Sequence, residues 1–452
     1  MNRGIAPKCI LTLAILILLA SPDIFDGAAN GAAKRQKQNK HTSISLLRRE
    51  TDKSGYGDLA KEIRSIIYGR QSALDKSGLA SANSTNSDGT LTYLTSFYTW
   101  YHPNQNRNIG QMGTIPYGGS IYNSCDKEIA KWQLRDMAEY LGPNAAVLAS
   151  WFNPPREEPG SCGYEEINFM TGFLEAKKEL AADGEPAGNI KYAFLYELAW
   201  FPNNPKGYEY TVEKTPRGDS YWIDFAKPFN QKLWARDLAY LKANHFDRDD
   251  FLKINGKPVL MFWVPIGLNM RYAKAIADHI TGTGVFLVNC LGTFSPPNFG
   301  STDAKLKEQL LYMDAVSSYV AYSEEMAVQS GNELTKEYIE AYALSQVKWF
   351  DYLQKNVPHV TLIPPLTFHM DDTKIPDRIN SDGSPMHPPL FCTNNENRLI
   401  YLRAISALVR RFNLPGFVNI GTWNELWEGT TVERTETYGL ADLEALKQFS
   451  KQ

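Results

Sequence analysis

Eight short apolar runs, each followed by a longer stretch of helical character, constrain the fold of this chain more than any other feature. Such alternation of β-branched or aromatic runs with helical stretches is typical of a parallel α/β sheet. The runs are LTYLTSFYTWY at 91–101, AAVLASWF at 145–152, KYAFLYELAW at 191–200, KPVLMFWV at 257–264, GVFLVNCL at 284–291, DAVSSYVAY at 314–322, HVTLIPPLTF at 359–368 and GFVNIGTW at 416–423. Eight units of this kind close a (β/α)8 TIM barrel, which we predict for residues 90–452.

The segments between the runs support this prediction. Amphipathic patterns predict helices at 126–141, 229–243, 335–356 and 394–412, with a last helix at 440–452. The competing architecture is a doubly wound open sheet, which usually carries a glycine-rich phosphate loop after its first strand. Here the first run continues as FYTWYHPN, which is not such a loop.

The N-terminus has the layout of a secretory signal peptide. Arg3 and Lys8 precede an apolar run at 9–20, and small residues follow it. We therefore expect residues 1–29 to be a signal peptide and the protein to be secreted or periplasmic. The apolar run is shorter than the ~20 residues of a membrane span, so an uncleaved signal segment would be the only attachment to a membrane.

Residues 30–89 differ in composition from the rest of the chain. They are polar and basic at first and then rich in Ser, Gly and Asn. This composition predicts a flexible polar linker, with one short helix near residues 58–68. A single catalytic domain is then expected to begin at residue 90.

The cysteines allow one disulfide but indicate no metal site. Four cysteines follow the expected signal peptide: Cys125, Cys162, Cys290 and Cys392. In an oxidising compartment Cys125 and Cys162, both in loop-like sequence, can form a disulfide, and four free thiols are the alternative. No spacing fits a zinc site, and the adjacent Asp371 and Asp372 are explained more simply as surface acids than as ligands. We expect no metal and no cofactor.

Charge and aromatic content bear on the partner. The formal net charge is −3 and the isoelectric point is near 6.2, so the chain lacks the basic footprint of a nucleic-acid-binding protein. Aromatic residues make up 12% of the chain, with ten Trp and twenty-four Tyr. Flat rings with a polar tip suit sugar faces as well as protein cores, so a polysaccharide or oligosaccharide is the expected substrate.

In a barrel of this type the chemistry takes place at the carboxyl ends of the strands. For any single ring, packing in the core is the plainer explanation, whereas a carboxylate such as Glu197 in an apolar strand needs a partner or a purpose. The candidate substrate-binding residues at these ends are Tyr98, Trp100, Tyr101, His102, Trp151, Glu197, Trp263, Tyr319, Tyr322, His369, Trp423, Asn424 and Trp427.

The stretch GTWNELWEG places two glutamates, Glu425 and Glu428, just beyond the eighth strand. In a helix-like turn, residues three apart share a face, so both carboxylates can point into one cavity. Cleavage of a glycosidic bond commonly uses two such groups, one protonating the leaving oxygen and the other acting as nucleophile or base. The alternative is a pair of acids that favours the start of a helix through the helix dipole.

The motif WNELWEGTTVE at 423–433 resembles the NEWHEGT-IE signature of glycoside hydrolase family 99, the endo-α-mannosidases and endo-α-mannanases. Related barrel domains encoded among polysaccharide genes share this signature. FYTWYHP, FLYELAW, NGKPVLMFWV, MDAVSSYVAY and LIPPLTFHMDDT are similar to other segments of that family, so the likeness covers most of 91–438. Between the two acids the family has Trp and His where this chain has Leu426 and Trp427. The family's strand-three EPY is ELAW here.

This resemblance implies a retaining mechanism on an α-mannoside-like substrate. Glu425 would act on the sugar 2-hydroxyl and assist formation of a 1,2-anhydro sugar, and Glu428 would be the general acid/base. Tyr98, Tyr101 and Glu197 would contact the sugar. The expected function is a secreted, endo-acting, retaining glycoside hydrolase for α-linked glycans. The alternatives are a non-catalytic carbohydrate-binding barrel and a glycan-processing or transferase enzyme of surface-polysaccharide assembly.

Overall fold

The computed structural model describes residues 44–69, 92–103, 109–152, 165–197, 207–215, 218–263, 267–291, 301–412 and 416–450. The expected signal peptide and Cys162 lie outside these residues. Cys125 is disulfide-bonded, whereas Cys290 and Cys392 are buried free thiols. Within the described ranges, every helix is too short or too polar to cross a membrane.

Eight parallel strands form a closed (β/α)8 barrel, as predicted. They are β1 Thr92–Phe97, β2 Ala146–Trp151, β3 Lys191–Glu197, β4 Lys257–Trp263, β5 Phe286–Leu291, β6 Ala315–Ser318, β7 Thr361–Leu362 and β8 Phe417–Thr422. Consecutive strands from β1 to β7 pair side by side, and β8 pairs with β1. The ring closes where Leu366 N donates to Asn419 O at 2.7 Å and Asn419 N donates to Pro364 O at 3.0 Å.

The seventh strand is the shortest of the eight. Its run continues as IPPL, and Pro364 and Pro365 have no backbone N–H to donate to a neighbouring strand. The pairing of this segment with β8 is therefore reduced to a single parallel bridge between Pro365 and Asn419. Asn419 strengthens the closure from inside, because its Nδ2 donates to Ser318 O at 2.8 Å.

Helices surround the barrel, and amphipathic patterns predicted those near 126–141, 229–243, 335–356, 394–412 and 440–452. They are α1 Ile44–Asp52, α2 Gly57–Tyr68, α3 Lys127–Asp136, α4 Glu165–Asn168, α5 Glu175–Ala182, α6 Pro228–Leu241, α7 Met270–Thr281, α8 Ser301–Leu310, α9 Glu324–Gln329, α10 Lys336–Asn356, α11 Asn395–Arg411 and α12 Ala441–Ser450. The side chains of Asp126, Thr335 and Asn394 cap α3, α10 and α11 by accepting from N–H groups of the first turn. A helical π-turn extends α3 over Met137–Leu141 and α6 over Lys242–Phe246.

Several short turns and strands lie outside the eight-stranded barrel and its helices. A third π-turn, Phe169–Leu174, joins α4 to α5. Strands Tyr210–Thr215 and Gly218–Asp224 form an antiparallel hairpin extended by Gly267–Leu268, and Lys253–Ile254 pairs with the start of β4. Short 3-10 turns occupy Ile109–Gln111, Pro186–Asn189 and Pro376–Arg378.

Within the expected linker of residues 30–89, the structure describes 44–69, and these residues form the helices α1 and α2, of which α2 was the short helix predicted near 58–68. Leu47, Leu59 and Ile63 are buried in the main hydrophobic core. Arg48 Nε also donates to Glu340 of α10 at 2.7 Å. The polar composition of this segment concealed apolar residues spaced three and four apart, which form one buried face. Residues 44–68 are therefore packed onto the barrel.

Candidate active site

The strand register decides which side chains face the interior of the barrel. Glu197 on β3 lies beside Trp263 on β4. The preceding pair, Tyr196 and Phe262, must point the opposite way because side chains alternate along a strand. Tyr196 OH donates to Asp237 of α6 at 2.6 Å, so its row faces the helices. Glu197 and Trp263 therefore face the interior, at the carboxyl ends of their strands.

The motif after β8 is held by the residues after β1. Asn424 Nδ2 donates to Tyr98 O at 2.8 Å, and Tyr98 N donates to Asn424 Oδ1 at 2.7 Å. Tyr101 OH donates to Asn424 O at 2.7 Å and accepts from Leu426 N at 3.0 Å. Asn424 and Tyr101 are fully buried. They fix the backbone of the motif, and this contact between β1 and β8 orders the turn that carries both glutamates.

Three loops meet at Glu428 through backbone contacts. Gly113 N donates to Trp427 O at 3.2 Å, and Asp371 N donates to Glu428 O at 2.7 Å. A Cβ at Gly113 would lie 1.9 Å from Asp371 O, which no structure tolerates. Gly429 has a φ of +60° and lies against Asp371 N as well. The loops after β1 and β7 therefore position the carbonyl end of Glu428.

The two motif glutamates have different surroundings. Glu425 is 3% exposed, and its Oε1 accepts from Trp427 N at 3.1 Å. The Glu428 side chain is 23% exposed. Burial raises the pKa of Glu428 above its usual value, Asp372 raises it further, and Arg378 opposes both. Glu428 therefore tends to keep its proton while still reaching solvent.

Glu197 and two tyrosines complete the group. Ser150 Oγ donates to Glu197 Oε1 at 2.9 Å. Tyr98 and Tyr319 are hydrogen-bonded to each other, and Tyr319 is also hydrogen-bonded to Glu428. Burial raises the pKa of the Tyr98 phenol well above its usual value, and three neighbouring negative charges raise it further: those of Glu197, Glu425 and Glu428. The three carboxyl groups are therefore all close to the Tyr98 phenol.

Aromatic rings surround this group. Trp100 stacks on Tyr98 with ring centres 4.3 Å apart, and Trp263 meets Tyr319 edge-on at 5.8 Å. Trp427 is 4% exposed and stacks on Tyr101 at 6.4 Å. Together with the acids, these rings form a mixed apolar and acidic surface at the carboxyl ends of β1, β3, β4, β6 and β8.

Three candidate residues are placed elsewhere by the structure. Trp151 faces the helices, where its Nε1 donates to Glu166 Oε2 at 2.8 Å. His369 is buried against Asp442 at 3.0 Å and stacks on Tyr438. Trp423 is fully buried, with its backbone bonded to β1. The sequence alone does not show which face of a strand end turns inward, so the assignment of these three to the substrate surface stays a prediction.

The two remaining candidates lie at the edge of the group. His102, shortly after β1, is partly exposed. Tyr322, after β6, is half-buried and its hydroxyl donates to Pro388 O at 2.5 Å. The ring of Tyr322 lies 6.5 Å from that of His387.

Sequence reasoning missed Arg378 and His387, which lie in the loop after β7. Arg378 Nη2 is 3.6 Å from Glu428 Oε1, and His387 Nδ1 is 2.6 Å from Asp372 Oδ2. This loop has no periodic pattern, so no signal in the sequence pointed to these residues. Among the described residues, no group of three or more His, Cys, Asp or Glu side chains is arranged to hold a metal ion.

Comparison with known proteins supports the fold. No protein-family model and no curated protein sequence matches the chain. Among solved structures, a glycoside hydrolase-like protein is 16% identical, with 83% of this chain and 98% of that chain covered and a TM-score of 0.54.

Two structures of the GH99 endo-alpha-mannosidase from Bacteroides thetaiotaomicron also match. One, in complex with bis-tris-propane, is 18% identical with a TM-score of 0.49, and the other is 16% identical with a TM-score of 0.47. Each match covers 79% of this chain and 95% of that chain. At these identities a likeness shows architecture and not activity. The chain thus has the barrel fold seen in a glycoside hydrolase-like protein.

Proposed function

We propose that the protein is a retaining, endo-acting glycoside hydrolase for α-linked, mannoside-like glycans. One observation carries this proposal: three carboxyl groups, from the ends of β3 and β8, lie close enough to the buried Tyr98 phenol to raise its pKa. Active sites of such barrels lie at the carboxyl ends of the strands, and cleavage of a glycosidic bond commonly uses two carboxyl groups. The aromatic rings beside them supply flat surfaces for sugar rings.

Glu428 is the general acid/base in this proposal. Because burial raises its pKa, it holds a proton that it can give to the leaving glycosidic oxygen. Its remaining exposure allows a water molecule to approach in the second step, when the ionised carboxylate takes a proton from that water.

Glu425 is the base that acts within the sugar. It removes the proton from the 2-hydroxyl, and the 2-oxygen displaces the leaving group at the anomeric carbon, forming a 1,2-anhydro sugar. Water then opens this ring at the anomeric carbon, and Glu425 returns the proton to the 2-oxygen. Two inversions give net retention. The bond from Trp427 N to Glu425 Oε1 fixes the position of one carboxylate oxygen before the first step.

The test compares wild type with Glu428→Gln and Glu425→Gln on a panel of α-mannans and α-glucans. We expect wild type to release oligosaccharides from within the chain, with the anomeric configuration retained in NMR spectra of fresh products. Glu428→Gln should lower kcat by about 10³-fold, the usual contribution of a general acid, and leave glycan affinity nearly unchanged.

Glu444→Gln is the matched control, because Glu444 is an exposed acid of α12. It should behave as wild type. If wild type and Glu428→Gln bind glycans equally and neither releases sugar, the chain is a carbohydrate-binding barrel. If turnover requires an added sugar nucleotide, it is a transferase.

Export is part of the proposal and rests on the sequence alone. Residues 1–29 have the charged start, apolar run and small residues of a cleaved signal. Fusion of residues 1–40 to a reporter that functions only outside the cytoplasm should give an active reporter with a cleaved N-terminus. Reporter activity that stays with the uncleaved fusion in membranes would instead indicate an anchor.

A further inference from the structure

A loop after β7 brings two basic groups and one acid to the motif glutamate. Arg378 Nη2 lies 3.6 Å from Glu428 Oε1, and Arg378 Nε lies 3.9 Å from Asp372 Oδ2. The same Asp372 oxygen, Oδ2, lies 2.6 Å from His387 Nδ1. We name Arg378, Asp372 and His387 the charged clamp. Through Arg378 the clamp contacts Glu428, the more exposed of the two motif glutamates.

The clamp is anchored to the motif by its backbone as well. Asp371 N, next to Asp372, donates to Glu428 O at 2.7 Å. Asp372 is 1% exposed, and its Oδ1 has no hydrogen-bond partner among the described residues. A buried carboxylate with one unpaired oxygen requires compensating positive charge nearby. The bond to Asp372 raises the pKa of His387, so the histidine supplies part of that charge.

The charges around Glu428 oppose each other. Burial and the Asp372 carboxylate favour its protonated form, whereas Arg378, His387 and the bond from Tyr319 favour its ionised form. Glu425 and Glu197 lie close to the same Tyr98 phenol as Glu428, and Glu324 Oε1 lies 4.0 Å from His387 Nε2 at the outer end of the clamp. A group that must first give a proton and then take one needs such a balance.

We propose that the charged clamp is a positioning device that orients the Glu428 carboxyl group and controls when it carries its proton. Arg378 acts on Glu428 directly, Asp372 holds Arg378, and His387 compensates Asp372. The inference rests on the proposed function insofar as Glu428 is the acid/base. Its physical core, the control of one carboxyl group by one loop, does not depend on turnover.

The experiment therefore begins with a measurement that needs no substrate. In protein labelled with carbon-13 at the glutamate carboxyl groups, the signal missing from Glu428→Gln identifies Glu428, and its shift is followed from pH 4 to pH 9. We expect Arg378→Met to raise the midpoint by about one pH unit or more, as loss of an adjacent cation does.

Lys374→Met is the matched control, because Lys374 is an exposed cation of the same loop. It should leave the midpoint unchanged. Arg378→Lys restores the charge and should return the midpoint most of the way to wild type, which also excludes misfolding as the cause. An unchanged midpoint in Arg378→Met, or an equal shift in Lys374→Met, overturns the proposal.

Activity then tests the link to catalysis. The alkaline limb of kcat/KM against pH should move upward in Arg378→Met by the same amount as the carboxyl midpoint. With a glycoside whose leaving group needs no protonation, this displacement should disappear. A moving carboxyl midpoint in a protein that cleaves no glycan would support the clamp and refute the hydrolase. The alkaline limb of kcat/KM could instead stay fixed, on a substrate whose leaving group must be protonated, while the titration midpoint of Glu428 moves. That result would overturn the clamp's control of catalysis.

Discussion

Glu433 is the acid of the motif region that the proposed chemistry leaves unused. It is 3% exposed and accepts from Tyr122 OH and from Gln133 Nε2, each at 3.0 Å. Burial raises the pKa of Glu433 to about 8, despite these two bonds. Tyr122 also accepts from Asn424 Nδ2 at 3.1 Å, so Glu433 is connected to the residue that fixes the motif.

This raised pKa predicts a pH-dependent stability. An unfolded glutamic acid loses its proton near pH 4.5, whereas folded Glu433 keeps it until about pH 8. Between these values the folded state binds more protons, so the free energy of unfolding falls as the pH rises, by up to about 1.4 kcal/mol per unit. Glu433→Gln keeps one acceptor oxygen for these two donors, cannot titrate, and should lose this dependence.

Urea unfolding from pH 5 to pH 9 measures the effect. The free energy of unfolding of wild type should decline relative to that of Glu433→Gln, with the difference levelling off above about pH 8. Glu436→Gln, a change at an exposed acid three residues later, should run parallel to wild type. Parallel curves for wild type and Glu433→Gln would refute a buried protonated acid.

At the residue scale, the sequence singled out those residues whose chemical type conflicts with an apolar environment. Two carboxylates among rings indicated a site, and Glu197 was separated from the ordinary core because an acid in an apolar strand requires a reason. Trp151 could not be placed, since its partner Glu166 lies in a helix that no local pattern connects to it. Arg378 was invisible for the same reason, because its meaning depends on Glu428, which lies in the next loop around the barrel.

At the element scale, the loops after β1, β7 and β8 act as one unit because their backbones touch. Gly113→Ala tests this unit. The added Cβ would lie 1.9 Å from Asp371 O, so the loops must separate and Glu428 must move. We expect kcat/KM to fall by about 10²-fold, the cost of roughly 1 Å of misplacement, with about 1–3 kcal/mol of lost stability from overpacking.

Gly55→Ala is the matched control, because a Cβ at Gly55 meets nothing within 4 Å. Kinetics and thermal unfolding of both variants, measured together, separate a local from a global effect. Full activity in Gly113→Ala would show that the position of Glu428 does not depend on this contact.

Elements were the most predictable level of this molecule. All eight strands and the long helices follow from local pattern, because apolar β-branched runs and capped amphipathic stretches carry their structure within a few residues. The short extent of β7 follows from Pro364 and Pro365. The π-turns that extend α3 and α6 had no such signal in the sequence.

At the scale of the whole molecule, helices α1 and α2 extend the core beyond the barrel. Their polar surface suggested a linker, but a partly buried ion pair helps to hold them against the barrel. Arg48 donates to Glu340, which is fully buried, and Tyr68 OH donates to the same carboxylate at 2.9 Å. Which helix of the barrel would receive them was not readable from residues 44–68 alone.

Removal of that charge predicts a global loss of stability. Arg48→Met leaves the Glu340 carboxylate buried with only Tyr68, and should cost about 2 kcal/mol, less than the ~3 to 5 of a fully buried pair because the Arg48 side chain is 41% exposed. The double variant with Glu340→Gln should recover part of the loss. Activity at low temperature should be unaffected.

Chemical denaturation of both variants measures the coupling between the two positions. The matched control is Arg64→Met in α2, because its partner, the Asp52 carboxylate of α1, is 46% exposed whereas Glu340 is fully buried, and this pair should contribute less than about 1 kcal/mol. Equal losses in Arg48→Met and Arg64→Met would contradict a special role for the buried carboxylate.

The proline-shortened β7 has a mechanical consequence. A closed barrel opens first between the two strands that share the fewest hydrogen bonds. Here those strands are β7 and β8, which are joined by the amides of Leu366 and Asn419. The loop after β7 carries Arg378, and the loop after β8 carries Glu428. Local opening between β7 and β8 should appear as early deuterium uptake at the amides of Leu366 and Asn419. Such opening would separate Arg378 from Glu428.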